Sequence, residues 1–445
     1  MQNFRAIRRL IFVYFFLLIF EGSLRFWILP GFSNILLVVR DPVVCLIYLL
    51  AVSAGLMPRN VAIGLTVALA IFGAFSSLLT SEAPVLVTVF GLRSNYLHLP
   101  LIYVMQRVLS AADVLRIGRW LMWMMIPMAI LVVQQFRTPQ GALLNMGGMV
   151  TQYGTVRPAG TFSFVSGMIC FSSLVAAFLA HSFASRLRKG LILKILCSLA
   201  VLSSLAVSGS RSSILAVGIV FIMLAGLSVV STGAARGLLA SIGVIGLALA
   251  GMTSTEFFEE GRRQLGKRFV DSAHGEDILG SSLSRVLGTF DYPIWEAQKA
   301  PLLGNGLGTG TNAGYFLTTG NRGFGGGQET ELGRIMFESG AILGTIFILL
   351  RFNIALQMFL SGWRALDRGN LLPLLLFGAA GMNVVMGTWG IPTNQGFAIF
   401  GGGLCLAAVK VGKPRRRART IAVTAQDSDV ISATPVPTLG PGLSS

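Results

Sequence analysis

The sequence predicts an all-α polytopic membrane protein of about twelve transmembrane helices with one large extracytoplasmic loop containing short helices, and three observations carry that prediction. Hydrophobic residues make up 53% of the 445 and charged residues 12%, with a mean hydropathy of +0.73, a balance that excludes a soluble domain. The apolar residues come in runs of helix-spanning length, since ~20 residues rising 1.5 Å each cross a hydrocarbon core of ~30 Å. Between Thr253 and Arg334 this pattern breaks for a long polar, charged, glycine-rich stretch and then resumes.

The first apolar run, near residues 10 to 28, follows Arg5, Arg8 and Arg9 and imitates a signal peptide. Glu21 and Arg25 stand where a small-residue cleavage site would be needed, so it reads as a retained first helix. Further segments fall near residues 33 to 57, 60 to 80, 92 to 109, 118 to 136, 161 to 184, 191 to 208, 212 to 231 and 236 to 253, which completes helices 1 to 9 over residues 1–253. The large loop then occupies 254–333. Segments near 334 to 360, 371 to 389 and 394 to 411 supply helices 10 to 12 over 334–411. The remaining 412–445 is a basic cluster followed by Ser, Thr, Pro and Gly, a composition that cannot bury enough apolar surface to fold and is expected to be disordered.

Arg5/Arg8/Arg9, Arg59, Arg107/Arg116/Arg119, Arg186/Arg188/Lys189/Lys194, Arg236, Arg364/Arg368 and Lys413 to Arg419 fall in alternate connections. By the positive-inside rule these face the cytoplasm, which puts both termini inside, the 254–333 loop outside, and the protein in the cytoplasmic (inner) membrane. The net charge of +17 is then a topology signal with attraction to anionic membrane lipids, and no nucleic-acid partner is implied. Cys45, Cys170, Cys197 and Cys405 lie inside apolar runs without paired spacing, and His98, His181 and His274 are scattered, so no metal and no cofactor is expected. No internal repeat and no pair of broken helices of the secondary-transporter kind is seen.

With orientation assigned, the informative cations are those on the wrong side: Arg25, Arg40, Arg93, Arg157, Arg211, Arg285 and Arg322. Arginine holds phosphate oxygens bidentately and does not lose its proton, so a ring of such residues above an apolar bundle would hold a diphosphate whose lipid tail lies in the bilayer. A structural reading stands beside this one. Arg40 precedes Asp41, and Glu21 lies one turn before Arg25, so these can be neutralised pairs. Arg93, in Gly91-Leu92-Arg93-Ser94-Asn95-Tyr96, fits an interface anchor equally well. Arg157 opens Arg157-Pro158-Ala159-Gly160-Thr161-Phe162, and Arg211 lies in the tight outer connection Ser208-Gly209-Ser210-Arg211-Ser212-Ser213 with no acidic neighbour in sequence.

These residues resemble those of the O-antigen ligase and polymerase superfamily. The resemblance rests on Arg157 to Phe162, on Ser210-Arg211-Ser212, on Pro301-Leu302-Leu303-Gly304-Asn305-Gly306-Leu307-Gly308 and on Glu338-Ser339-Gly340-Ala341-Ile342-Leu343-Gly344, in order around the large loop; Phe20 to Trp27 and Arg40-Asp41-Pro42 resemble a further branch. It implies a metal-independent, GT-C-like glycosyltransferase whose donor is a polyprenyl-diphosphate-linked glycan and whose acceptor is a glycan or lipid, among other envelope polysaccharide synthesis proteins. Arg211 and Arg157 would hold the donor diphosphate, with Arg93 and Arg285 as further candidates. The ligases carry a histidine just before the Glu-x-Gly helix; Glu329 occupies that position here, which favours polymerisation or another glycan transfer over ligation.

Transfer needs charge stabilisation of the departing diphosphate and a base at the acceptor hydroxyl. Arginines meet the first need. For the second, Glu329 and Glu331 are the candidate carboxylates; Glu331, Arg334 and Glu338 can equally form an ion-pair ladder on one helix face. Direct displacement would invert the anomeric centre, and no carboxylate pair demands a covalent intermediate. Gly304, Gly306 and Gly308 lack the Gly-Lys-Ser/Thr ending and βαβ setting of nucleotide loops; they let backbone amides approach a ligand closely or form a flexible cover. Glu256 to Phe269 reads as an amphipathic surface helix, and Ser284 to Ala300 as a second loop helix that could roof the site. A transporter or flippase of the same lipid-linked glycan, and a scaffold, are the competing classes; a transporter should carry ionisable residues at mid-membrane.

Overall fold

The computed structural model describes residues 2–146, 149–150, 156–185, 190–252, 259–263, 266, 291–320 and 330–411. It is an all-α membrane protein. Among the described residues eight helices are long and apolar enough to cross a bilayer, or nine if the bent pair Pro30–Leu36 and Arg40–Ser53 makes one span. Every apolar segment expected from the sequence is helical, because a backbone surrounded by apolar side chains has no partner for its polar groups except itself. Starts are set by polar side chains: Asn60 accepts from the Ile63 amide at 2.8 Å, and Ser110 and Asp113 form a reciprocal capping box. One two-stranded antiparallel ladder pairs Met149 with Arg157 and Val150 with Val156.

The bundle packs around helix Pro392–Ala408, every residue of which is buried. Its glycines admit close neighbours, as small residues do where no hydrophobic force acts between helices in lipid. At one end Arg8 pairs with Asp113, Lys410 donates to the carbonyls of Arg107 (3.2 Å) and Leu109 (2.8 Å), and Asn370 donates to the Ala408 carbonyl. Basic residues from alternate connections therefore share one face. Helix Thr232–Met252, the last before the large loop, ends at the other, the loop face.

Besides that bent pair, the fourth and tenth expected spans depart from straight helices. The fourth, near 92 to 109, consists of Val85–Leu92, a π-helical turn Arg93–Leu97 and, after Pro100, Leu101–Val108. The tenth, near 334 to 360, runs from Glu331 to Leu366 and reverses at Gly340, where φ is 73° and ψ 178°, a conformation open only to glycine. Residues 331–339 fold back so that Met336 lies against Gly344 and Glu331 against Arg351. The expected surface helix appears as helical residues 259–263 and 266, and the loop helix as 291–299; the rest of both, with Arg285, Arg322, Glu329 and the 412–445 tail, lies outside the described residues.

Two helices ending at the loop face are short. Arg40–Ser53 has 14 residues and Leu372–Met386 has 15, which at 1.5 Å each is about 21–22 Å against ~30 Å of hydrocarbon. Their loop-face ends are therefore recessed; the first begins with buried Arg40, and buried Arg351 donates to the Val384 and Gly387 carbonyls at the end of the second.

Candidate functional site at the loop face

The recess holds two charged clusters joined by the π-helical turn. In the first, Arg334 donates from Nε and Nη2 to the two Glu331 oxygens (2.9 and 2.8 Å) and from Nη1 to Glu338 Oε2 at 2.6 Å. Arg351 reaches Glu331 Oε1 at 2.9 Å and donates to the Val384 and Gly387 carbonyls at 2.8 Å, with Trp389 4.0 Å from its guanidinium carbon. Two guanidinium groups thus face two carboxylates, all four side chains at most 4% exposed. The expected ladder of Glu331, Arg334 and Glu338 is formed, and Arg351 extends it.

The glycine run builds this cluster's outer wall. The amides of Asn305 and Gly306 donate to the carbonyls of Phe337 (2.9 Å) and Glu338 (3.1 Å), which the reversal at Gly340 leaves without helical donors; Leu307 N bonds Ser77 Oγ and Gly310 N bonds Glu338 Oε1. Gly304, at φ 77°, lies so near that a Cβ would sit 2.3 Å from the Glu338 oxygen. Gly306 and Gly308 also have positive φ. The close backbone approach expected of these glycines is made to the chain itself.

The second cluster begins at Arg40, fully buried, which donates to Glu21 Oε2 (3.0 Å), the Tyr14 hydroxyl (3.3 Å) and the Pro392 carbonyl (2.6 Å). Tyr14 meets His98 Nδ1 at 3.2 Å, His98 Nε2 meets Asp41 Oδ1 at 2.9 Å, and Arg93 Nε donates to Asp41 Oδ2. Glu21 and Asp41 are thus paired across helices, with Arg40 and Arg93, rather than with their sequence neighbours Arg25 and Arg40. His98, which sequence spacing left aside, is the link between Tyr14 and Asp41; only tertiary contact brings these three together.

The π turn connects the clusters because its wider winding releases main-chain groups. Gln395 Nε2 donates to the carbonyls of Arg93 (3.1 Å) and Ser94 (2.6 Å), while Asn95 accepts from Arg334 and donates to Glu338. Arg93 therefore faces Asp41, and Asn95, two residues on, faces Arg334.

Arg157 is half-buried on its short strand, and the motif it opens is locked to the first helix: Ser23 N donates to the Thr161 carbonyl at 2.9 Å and Arg25 donates to Ser163 Oγ at 2.8 Å. Arg211, also half-buried, is the first residue of Arg211–Val230. Ser173 Oγ donates to the Ala216 carbonyl at 3.2 Å, tying Val165–Ala184 to Arg211–Val230 so that both begin at the loop face at similar height. The motifs containing Arg157 and Arg211 thus lie at the starts of two packed helices. Glu329 and Arg285 lie outside the described residues.

Two cavities adjoin the turn, and Val89, Arg93 and Leu97 line both. One, of about 620 Å³, is apolar and walled by Tyr48, Val67, Ile71 and Tyr96. The other, of about 480 Å³, is bounded by Asn34, Asp41, Phe90 and the loop helix Asn312–Thr319 through Ala313 and Phe316. Among the described residues no three His, Cys, Asp or Glu side chains converge as metal ligands would. Comparison with known proteins adds no family to this geometry: no protein-family model matches the chain, and no curated protein matches it.

Proposed function

We propose that this chain is a membrane glycosyltransferase that polymerises or transfers polyprenyl-diphosphate-linked glycan units in surface polysaccharide synthesis. In this reading the chain crosses the cytoplasmic membrane twelve times in a GT-C-like arrangement, both termini are cytoplasmic, and the recessed loop face is extracytoplasmic. The observation that carries it is the meeting of separated motifs. Pro301–Gly308 closes over the end of the Glu331–Ser339 segment through the Asn305 and Gly306 amides, at a buried charge cluster on one face of the bundle. A glycan site needs such a rigid, water-poor wall.

Arg211 and Arg157 are assigned to the donor diphosphate. Their permanent charge stabilises the leaving group without reorganisation, and the apolar cavity beside Tyr96 suits an isoprenoid chain. Glu331 already receives three N–H bonds from Arg334 and Arg351, so its part is to hold the recess in shape. The acceptor's base is then Glu329 or a carboxylate elsewhere at the recess.

Lipid-linked and surface glycan from a deletion strain tests the reading. Single repeat units accumulating on lipid, with long chains restored by the gene, support polymerase; long chains stranded on lipid support ligase. Repeat units trapped on the cytoplasmic leaflet would instead make the protein a flippase.

A further inference from the structure

Among the described residues four carboxylates belong to the two recessed clusters, and they differ in access. The side chains of Glu21, Glu331 and Glu338 are 3%, 1% and 0% exposed, whereas that of Asp41 is 16% exposed and lines the cavity beneath helix Asn312–Thr319. From this geometry we infer that the cavity receives the acceptor hydroxyl and that Asp41 takes its proton, with His98 and Tyr14 as positioning residues behind it. The inference rests on the glycosyl-transfer reading above.

The proton positions follow from which groups can donate. Arg40 only donates, so the Tyr14 oxygen accepts from Arg40 and directs its own proton to His98 Nδ1; Nε2–H of His98 then donates to Asp41 Oδ1. Arg93 Nε supplies Oδ2. The carboxylate is therefore ionised and held in one orientation by two donors, leaving lone pairs for a ligand in the cavity. Arg93 Nη1 is buried without a hydrogen-bond partner among the described residues and is the remaining donor on this side chain. Asn34 is the further polar group in the lining, and Phe90, Ala313 and Phe316 make an apolar wall of the kind that sugar rings stack against.

In the step itself the acceptor oxygen bonds to the anomeric carbon of the donor as the carbon–oxygen bond to the lipid diphosphate breaks. The diphosphate leaves with the electron pair, and the hydroxyl proton passes to Asp41. A carboxylate with two donors is a weak base, which suits a hydroxyl that becomes acidic only after its bond to carbon has begun to form.

The test uses the full chain in lipid nanodiscs, with the polyprenyl-diphosphate glycolipid accumulated by a deletion strain as donor and the free glycan released from it, varied in concentration, as acceptor. Transfer is followed by product mass, and donor retention by mass spectrometry of the intact protein. Asp41→Asn should retain donor and slow transfer by about 10²- to 10⁴-fold. Tyr14→Phe should lower kcat with acceptor KM unchanged, a split that a merely structural residue would not produce. Ala313→Trp, at the rim and outside both charged clusters, fills the cavity and should raise acceptor KM at least about tenfold, while donor retention stays as in wild type. Asp41→Asn transferring within threefold of wild type, or Ala313→Trp with unchanged acceptor KM, overturns the inference; so does loss of transfer in Glu329→Gln with Asp41→Asn active. If wild type transfers nothing, the glycosyl-transfer reading itself has failed.

Discussion

Arg351 donates to Glu331 at 2.9 Å although twenty positions separate them, on the two helical arms that meet at Gly340. A straight helix would hold them about 30 Å apart. The reversal at Gly340 closes that distance and carries Glu331, Arg334 and Glu338 into the recess above the short Leu372–Met386 helix.

Breaking this contact should therefore unlock the recess. Arg351→Met leaves a buried carboxylate one donor short and the Val384 and Gly387 carbonyls unmet, and is expected to cost about 3–5 kcal/mol. Thermal unfolding in detergent checks this; a melting point equal to wild type would show the Glu331–Arg351 pair to be dispensable.

Gly340 is expected to tolerate no side chain. A Cβ there would lie 2.2 Å from the Leu302 carbonyl oxygen, on a backbone at φ 73°. Gly340→Ala should lose at least about 1–3 kcal/mol from backbone strain, with the clash adding to it. Gly64 makes the contrast, since among the described residues nothing lies within 4 Å of its Cβ position on an exposed helix surface. Gly64→Ala should gain up to about 1 kcal/mol by helix propensity. The same unfolding measurement reads both.

Much of this architecture was legible in the sequence, and the parts that were not share a cause. Apolar runs of spanning length and the alternation of basic clusters show in composition and spacing, and the Glu331–Arg334–Glu338 ladder follows from helical periodicity. Pairings between helices do not. Glu21 with Arg40, Asp41 with Arg93 and His98, and Asn95 with Arg334 depend on which helices pack together, and a local reading pairs Glu21 and Asp41 with their neighbours instead. The glycine run shows a similar limit. Its positive-φ residues announce close backbone approach, but that the partner is the Phe337 and Glu338 carbonyls depends on a distant reversal that Gly340 permits.

Orientation makes a separate prediction. A reporter active only outside the cytoplasm should be active when inserted after Gly275 in the large loop and inactive when fused after Lys413, and a cytoplasmic reporter should show the reverse. Activity of the first reporter after Lys413 would invert the topology and place the recess on the wrong side for an extracytoplasmic acceptor.

Arg157 and Arg211 should separate from the buried clusters in kind. Both are half-buried at the loop face. Arg157→Ala and Arg211→Ala are expected to lose about 10²- to 10³-fold in transfer, the range for removing a group that stabilises developing charge. Glu331→Gln, inside the closed cluster, should lower stability and activity together. Arg211→Ala active at the wild-type rate would remove it from the donor site.

The most direct test of the account is transfer by the purified wild-type chain in nanodiscs supplied with the polyprenyl-diphosphate glycolipid from a deletion strain. The account predicts longer or transferred glycan with release of lipid diphosphate, without added metal, and its loss in Arg211→Ala. Glycolipid that remains unaltered on the nanodisc, while the same protein moves it between leaflets of sealed vesicles, would contradict glycosyl transfer.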